Sequence, residues 1–596
     1  MQTVNQKIVA LRQQMQIHQI DACLVPSADP HMSEYLPEHW QTRQWLSGFT
    51  GSVGTLLITQ DFAGLWVDGR YWVQAEQQLA GTAIQLQKLT HQTDSTHLAW
   101  LNKHLNTAQT LAVDGCVLSV QQYQLLKQAL PQGTTLRTDL DLIQSIWFDR
   151  PILPNHPIYA MQRDVNALSC TDKLNLVISQ LKQKNVEAHF ISALDDIAWL
   201  LNCRGADVDY NPIFLAHFYI DVNGKKVLFI DAQKLNAEIC QQFIADNIEI
   251  QPYKNSVLFL KTIDLQSILI DPAKVSIVHQ KALQANIDIV HDINPSTLLK
   301  ACKQPSEIEH VRQTMIQDGI ALCQFFAWLE QAISNKKHIT ELTIDEKLTG
   351  FRAQQQGFKG LSFATIAGFA ENGALPHYRA TPAQYSVIDQ QGLLLIDSGG
   401  QYETGTTDIT RVIPIGQPTP AQCFDYTIVL KAHIALAETV FPEGIAAPLL
   451  DSIGRQALWQ HQLDFRHGTG HGVGFALNVH EGPQSISYYA PITPYSAMKE
   501  GMITSNEPGL YREGHWGIRI ENLVVNQIVG NSDFGKFLKF ETLTLCPINT
   551  TCIQLELLTD AEKQWLNQYH AEVYAKLSPH LQGDALKWLE NNTQAI

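Results

Sequence analysis

The sequence is poor in the features that mark several common classes of protein. Its ten cysteines are scattered and form no CxxC pair, which argues against a disulfide scaffold and against a thiolate-bound zinc site. No apolar run reaches the roughly 18 residues of a membrane-spanning helix, so we expect no membrane partner. No stretch of Lys and Arg is long enough to bind a row of phosphates, and the net charge is −16, so we expect no nucleic-acid partner.

The remaining composition describes an acidic globular chain. Hydrophobic residues make up 45% and charged residues 17% of its 596 residues, and a chain of this length is expected to form roughly three domains. Cysteines such as Cys23, Cys203 and Cys323 stand in apolar contexts, which predicts reduced thiols in a cytoplasmic protein. The opening residues have apolar positions at helical spacing without a continuous apolar core, so they predict an amphipathic helix and not a signal peptide.

Five side chains between Leu393 and Asn522 are the strongest chemical signal in the chain: Asp397, Asp408, His471, Glu507 and Glu521. Each acid lies at the end of or inside an apolar run, such as LLLID or TTDITRVIPI, that predicts a buried strand. Buried carboxylates need a counter-charge, and the nearby arginines are too few for four acids. Two divalent cations would balance them. Oxygen ligands with one imidazole and no thiolate favour Mn²⁺ or Co²⁺ over a structural zinc.

Turn signals explain how these side chains would meet. Asp397 and Asp408 flank a Gly- and Thr-rich stretch between two apolar segments, which predicts a hairpin that brings both carboxylates to one place. Glu507 and Glu521 repeat this arrangement, and His471 lies in the glycine-rich loop HGTGHGVGF. The alternative is that all five are ordinary turn and strand-edge acids with a structural loop histidine.

The series IDSGGQY, TTDITR, GTGHGVG, NEPG and IEN resembles the metal-binding signature of the pita-bread metallopeptidases, which include methionine aminopeptidases, prolidases, aminopeptidase P and creatinase. This resemblance implies that the five residues are ligands of two divalent metal ions, with Mn²⁺ expected and Co²⁺ or Zn²⁺ as alternatives. It also implies a hydrolase in which a hydroxide bridging the metals attacks a peptide carbonyl. Creatinase shares the fold without the full ligand set, so the intact series argues against it.

The N-terminal part narrows the family. A helix leads into the strand IDACLVP and, later, another helix leads into VEAHFISAL, which suggests two related α/β units. The stretches EYLPEHWQTRQWLSGFTGSVGTLLI and DDIAWLLNCRGADVDYNPIF resemble the first two domains of three-domain aminopeptidase P. We therefore expect an α/β (α+β) protein of two creatinase-like domains, 1–152 and 153–304, and a pita-bread catalytic domain, 305–596, with a helical extension from about 548.

Further residues are candidates for catalysis. His377, His467 and His480 stand near the ligand series, and the resemblance implies that they bind the scissile carbonyl and the proline side of a substrate. Glu507 is our choice for the acid and base, because it matches the acid/base glutamate of the family. Tyr511 and Arg519 also match family positions near the substrate, although Arg519 has the alternative role of bracing Glu521.

The expected activity is removal of the first residue from peptides with proline in second position. An Xaa-Pro bond has no N–H and its nitrogen must be protonated to leave, which the acid Glu507 would do. Two departures, the loose middle of SFATIAGFAENGALPHY and Leu510 in EPGLY, concern the proline pocket and leave every ligand intact. The alternatives are a prolidase that cleaves only dipeptides and a peptidase-like protein that binds partners without catalysis. The resemblance also implies a homodimer, and an apolar stripe near Trp565 is compatible with core or dimer packing.

Overall fold

The computed structural model describes residues 2–90 and 95–596, and its backbone divides into an N-terminal unit, Met1–Thr297, and a C-terminal unit, Leu298–Ile596. Across those described residues, no helix combines the length and the apolar character that crossing a bilayer requires.

The N-terminal unit contains two six-stranded sheets flanked by helices. The elements of the first half are α1 (Val4–Ile17), β1 (Ala22–Pro26), α2 (Thr42–Ser47), β2 (Thr55–Thr59), β3 (Ala63–Val67), α3 (Trp72–Gln78), β4 (Gln85–Lys88), α4 (Thr96–His104), β5 (Thr110–Ala112), α5 (Val120–Ala129) and β6 (Thr135–Arg137). Those of the second half are β7 (Tyr159–Ala160), α6 (Cys170–Gln183), β8 (Ala188–Ile191), α7 (Leu194–Leu200), β9 (Cys203–Arg204), β10 (Ala216–Asp221), β11 (Lys226–Ile230), α8 (Ala237–Ala245), β12 (Glu249–Gln251), α9 (Ser256–Thr262), β13 (Ser267–Ile270), α10 (Ile277–Ala282), β14 (Asp288–His291) and α11 (Pro295–Ala301).

The two sheets share one topology. The first has the order β4-β3-β2-β1-β5-β6 and the second has β12-β11-β10-β8-β13-β14. The corresponding strand pairs of the two sheets run in the same sense. In the first sheet β1 is antiparallel to β2 and parallel to β5, and in the second β8 is antiparallel to β10 and parallel to β13. The predicted duplication of an α/β unit is therefore confirmed.

The C-terminal unit combines small antiparallel sheets with helices. Its helices are α12 (Pro305–Ser334), α13 (Glu341–Arg352), α14 (Pro420–Ala437), α15 (Ala447–Trp459), α16 (Asp560–Leu577) and α17 (Gly583–Asn592). Its strands are β15 (Phe358–Leu361), β16 (Ile366–Phe369), β17 (Gly392–Ser398), β18 (Gly400–Tyr402), β19 (Gly405–Thr406), β20 (Ile409–Ile415), β21 (Val440–Pro442), β22 (Gly470–His471), β23 (Ser485–Ile486), β24 (Ile503–Asn506), β25 (Gly509–Arg512), β26 (Trp516–Arg519), β27 (Asn522–Ser532) and β28 (Gly535–Thr542).

Two strand pairings in this unit position the acids. β17 and β20 are antiparallel with Asp397 opposite Thr410, so Asp408 lies at the same end of the pair. β24 and β27 are antiparallel with Asn506 opposite Asn522, and the β25–β26 hairpin lies between them in sequence. The predicted return of the chain between the two acids of each pair is therefore confirmed, because the antiparallel pairing brings both acids to the same end of the strands.

The starts of two helices can be compared with the capping boxes that the sequence predicts. The pattern Thr559-x-x-Glu562 predicts a capping box, and α16 begins there, with Thr559 and Glu562 bonding each other's backbone amides. Its apolar stripe is buried at Leu566, Tyr569 and Val573, so the stripe belongs to the core of this chain. The pattern Ser306-x-x-Glu309 predicts a second capping box at the start of α12. That prediction is wrong by two residues, because Gln304 is the cap and pairs with Glu307.

Candidate metal centre

The ends of the two strand pairs bring the four predicted acids together, and β22 adds His471. One ligand atom from each of Asp408, His471 and Glu521 lies within 4.8 Å of the others. His471 Nε2 is 3.4 Å from Asp408 Oδ2 and 3.4 Å from Glu507 Oε1. Asp397 joins the group electrostatically, because the charges of Asp408 and Glu507 both act on its carboxyl group. The structure thus collects side chains that are up to 124 residues apart in sequence.

The carboxylates carry more negative charge than their protein surroundings neutralise. Burial and the neighbouring Asp408, against the lowering effect of Arg519, raise the pKa of Asp397 to about 6. Burial together with Asp408 and Glu507 raises the pKa of Glu521 well above its ordinary value. Burial also raises the pKa of Glu507, although His471 and Arg519 oppose that shift. A raised carboxyl pKa means that the ionised carboxylate has too little positive charge around it. Bound divalent ions would supply that charge.

His471 is oriented to use a single ring nitrogen as a ligand. Its Nδ1–H donates to the Gly472 carbonyl at 3.0 Å, which leaves Nε2 directed at the acids. Burial lowers the pKa of His471, but the hydrogen bond with Asp408 and the charge of Glu507 raise it overall to about 9. The loop lies close to β24, since a Cβ on Gly470 would meet the Ser505 carbonyl oxygen at 2.0 Å. Any residue other than glycine at 470 would push the His471 strand away from the site.

These residues fit divalent cations. Asp397 Oδ1 is buried without a hydrogen-bond donor in the part of the chain that the structure describes, and such an atom is costly unless something binds it. The donor set consists of carboxylate oxygens and one imidazole nitrogen, which suits hard or borderline divalent ions. Of the three nearby arginines, Arg519 pairs with the carboxylate of a ligand candidate. The Arg411 side chain bonds carbonyl oxygens, including that of Glu521, and Arg512 pairs with Asp425.

The three predicted histidines occupy different positions around this cluster. The ring of His480 stands perpendicular to that of His471, with centroids 4.3 Å apart. His467 Nδ1 is 4.0 Å from Glu507 Oε2 and donates to the Gly468 carbonyl at 2.7 Å. His377 is half-buried in the turn after the 3₁₀ helix Ala370–Ala374, which packs against β26.

Arg519 and Tyr511 connect Asp397 with His467 through a chain of hydrogen bonds. Arg519 donates from Nη2 to Asp397 and from Nη1 to the Tyr511 hydroxyl at 2.5 Å. The Tyr511 hydroxyl in turn lies 2.8 Å from His467 Nε2, so it donates to that nitrogen because His467 uses Nδ1–H for Gly468. Arg519 therefore pairs directly with Asp397, and its positive charge also opposes the rise in the pKa of Glu521, the acid that it would brace in the alternative role.

Two hydroxyl groups that support the acids were missed from the sequence. Thr410 Oγ1 donates to Glu521 Oε2 at 2.7 Å, and Ser505 Oγ donates to Glu507 Oε1 at 3.2 Å. Each stands two residues from an acid of the cluster, Asp408 or Glu507. Alternate residues of a strand share a face, so this spacing was the available signal.

A buried arginine on α15 supports the loop of His467 and was also missed. Arg455 donates to Asp451 Oδ1 at 2.8 Å, to the Phe465 carbonyl at 2.7 Å and to the His467 carbonyl. Asp451 accepts the Thr469 hydroxyl, so the helix holds both sides of His467. No local pattern connects α15 with this loop, because the contact depends on how the helix packs.

Comparison with known proteins identifies the family. The chain matches the model of metallopeptidase family M24 over residues 309–527 and that of its C-terminal region over 536–596. Two models of the creatinase/prolidase N-terminal domain match residues 7–143 and 149–307. These matches agree with the expected mixed α/β architecture of two creatinase-like domains followed by a pita-bread domain.

Relatives match over nearly the whole length. A probable Xaa-Pro aminopeptidase P of Coprinopsis cinerea is 37% identical, with 99% of this chain and 98% of that protein covered. Xaa-Pro aminopeptidase 1 of Dictyostelium discoideum is 36% identical over 100% of this chain and 97% of its own. The crystal structure of X-prolyl aminopeptidase from Caenorhabditis elegans, described as a cytosolic enzyme with a di-nuclear active site, is 32% identical, covers both chains fully and superposes with a TM-score of 0.93. The chain therefore belongs to metallopeptidase family M24 and, within it, to the Xaa-Pro aminopeptidases.

Proposed function

We propose that this protein removes the N-terminal residue from peptides whose second residue is proline, using two divalent metal ions. The observation that carries the proposal is the buried cluster of four carboxylates and one imidazole in a chain of this family. The proposed metal ligands are Asp397, Asp408, His471, Glu507 and Glu521. When bound, two such cations supply Lewis acidity that lowers the pKa of a water molecule and polarises a carbonyl group.

Glu507 is the proposed acid and base. Its carboxylate is buried beside His471 and accepts from Ser505 at Oε1, which leaves Oε2 to receive a proton from the attacking water. The same oxygen then returns the proton to the proline nitrogen as the peptide bond breaks. This second transfer is required because an Xaa-Pro bond is a tertiary amide whose nitrogen leaves only when protonated.

The histidines and the Arg519 chain are proposed to bind substrate. His480 stands against the proposed ligand His471 and is assigned to donate to the carbonyl oxygen as negative charge develops there, with His377 as the second candidate donor. His467, held in one tautomer by Tyr511, is assigned to the proline side of the peptide. Arg519 holds Asp397 and Tyr511 and so fixes the distance between the metal cluster and the proline subsite.

Four finer assignments complete the proposal. Mn²⁺ is the expected metal, with Co²⁺ or Zn²⁺ as alternatives, because the ligands are mainly oxygen atoms. A cytoplasmic location is supported by free cysteines, many of them buried, and by the cytosolic relative. A homodimer is proposed on the likeness to this family alone. Domain boundaries near 152 and 304 are proposed with a helical extension from about 548.

A panel of peptides that differ only at position two tests the activity. Xaa-Pro peptides should be cleaved after the first residue, matched Xaa-Ala peptides should not, and chelator should abolish cleavage until Mn²⁺ is restored. A preference for Xaa-Pro dipeptides over longer Xaa-Pro peptides would instead identify a prolidase. No cleavage of any member in the presence of Mn²⁺ would favour a peptidase-like binding protein.

A further inference from the structure

A buried ion triad adjoins the His480 loop. Glu481 Oε1 is 2.6 Å from Lys303 Nζ, and Glu481 Oε2 is 3.5 Å from Lys300 Nζ. The three side chains are each no more than 2% exposed. A carboxylate buried this deeply is stable only with such cations, so the geometry of Glu481 depends on the two lysines.

The backbone of Glu481 is fixed to the loop of the candidate ligand His471. The Glu481 amide donates to the Gly472 carbonyl at 2.8 Å, and the Gly472 amide donates to the Gln484 carbonyl at 3.2 Å. The two segments touch so closely that a Cβ on Gly472 would meet the Glu481 carbonyl oxygen at 2.1 Å. The direction in which the chain presents His480 is therefore coupled to the position of Glu481.

Lys303 is fixed to the segment that directly precedes the strand leading to Glu507. The Lys303 amide donates to the Gly501 carbonyl at 3.0 Å, and Cys302 forms an isolated bridge with Met502, directly before β24. The Lys303 ammonium also donates to the Ala301 carbonyl at 3.3 Å. The triad thus connects the segment that precedes the strand of Glu507 with the loop that presents His480.

We propose that Glu481, held by Lys300 and Lys303, is a positioning residue that orients His480 for the reaction. This inference rests on the proposed function, because it acts through the role assigned to His480. The carboxylate does not touch the substrate. It sets the distance between the His480 ring and the metal cluster, on which stabilisation of the developing oxyanion depends.

A double-mutant cycle between Glu481→Gln and His480→Ala tests this role. Glu481→Gln keeps the shape and removes the charge, and it should lower kcat about 10- to 100-fold while the KM and the bound metal per chain stay unchanged. In the His480→Ala background the same change should lower kcat by no more than about twofold, because the residue it positions is gone. Lys431→Met is the matched control, since it removes a lysine–glutamate pair between α14 and α16 and should leave kcat unchanged.

The other outcomes are decisive. Unchanged kcat in Glu481→Gln, equal losses in both backgrounds, or loss of metal would overturn the positioning role. If Glu481→Gln does not fold, Lys303→Met takes its place in the cycle, and failure of both with a folded control would mean that the triad is purely structural and overturn the proposal. An unaltered protein that does not cleave Xaa-Pro peptides would contradict the proposed function instead, while full kcat in His480→Ala would overturn this inference.

Discussion

Each unit of the protein contains a group of neighbouring histidines, and the two groups have opposite electrostatic surroundings. In the N-terminal unit the rings of His31, His217 and His279 lie in a row, with centroid separations of 4.6 Å and 4.5 Å. Their partners are mostly neutral, such as the Tyr253 hydroxyl and the Ser192 hydroxyl. In the C-terminal unit the partners of His471 are carboxylates.

This difference reverses the direction of the pKa shifts. Burial lowers the pKa of His279 to about 3, with a smaller contribution from His31, and burial lowers the pKa of His217 well below its ordinary value. Burial acts on His471 in the same sense, yet its acids raise the pKa to about 9. Buried histidines therefore do not make a metal site on their own. Within residues 2–90 and 95–596, the Asp408, His471 and Glu521 group alone places three potential ligand atoms within 4.8 Å.

The largest effect is expected from Glu507→Ala. This change removes both a carboxylate of the cluster and the proposed proton carrier, so kcat should fall by about 10⁴-fold or more while the protein stays folded. Glu513→Ala is the matched control, because Glu513 is exposed in the adjacent hairpin. Steady-state assays with an Xaa-Pro peptide measure the result, and near-normal turnover in Glu507→Ala would remove this residue from the mechanism.

Metal removal should destabilise the C-terminal unit. Ions that bind only the folded state add about 2.7 kcal/mol to the free energy of unfolding at 100 times their Kd. Calorimetry with and without chelator should therefore show a lower Tm for the unaltered protein. Asp408→Asn, which removes one proposed ligand, should show a much smaller difference. Equal chelator effects in both proteins would place the stabilising metal elsewhere.

The smallest effect concerns the neutral histidine group. Because the pKa of His279 is about 3 in the folded state and ordinary in the unfolded state, the unfolded chain binds more protons between about pH 3 and 6.5. The contribution of neutral His279 to the free energy of unfolding is thus fully present above this pH window and is lost as the pH falls through it. Each such group contributes a slope of up to about 1.4 kcal/mol per pH unit.

His279→Gln should flatten this acid-dependent loss, since glutamine cannot take up the proton. Denaturant unfolding between pH 5 and 7 measures the change, and His291→Gln, at an exposed position, is the control. The same acid slope in His279→Gln as in the unaltered protein would mean that His279 is already protonated inside the fold.

The four acids of the candidate metal centre were predictable because each adjoins a strand signal. Runs such as LLLID and MITSNEPG identify buried strands with an acid at the end, and the Gly-rich turns between them predict that the chain returns. The strand pairs β17–β20 and β24–β27 confirm this expectation. Thr410 and Ser505 were within reach of the same reasoning through strand alternation.

The remaining contacts had no sequence signal. Arg455 reaches the His467 loop from α15, and Lys303 reaches Glu481 across 178 residues, which only packing of distant segments brings about. The pairing of Arg519 with Asp397 had no sequence signal for the same reason: Glu521 is its neighbour in sequence, whereas Asp397 is its neighbour across the strands.

The sequence by itself determined the strand-end acids, the duplicated N-terminal unit and the family, because these depend on local periodicity and on motifs within short segments. The tertiary structure alone decided which charged groups neighbour each other. Electrostatic energy depends on distance and burial in space and not on separation along the chain. For that reason the sequence identified the candidate metal ligands, and only the fold showed how Arg519, Arg455 and Glu481 hold the residues around them.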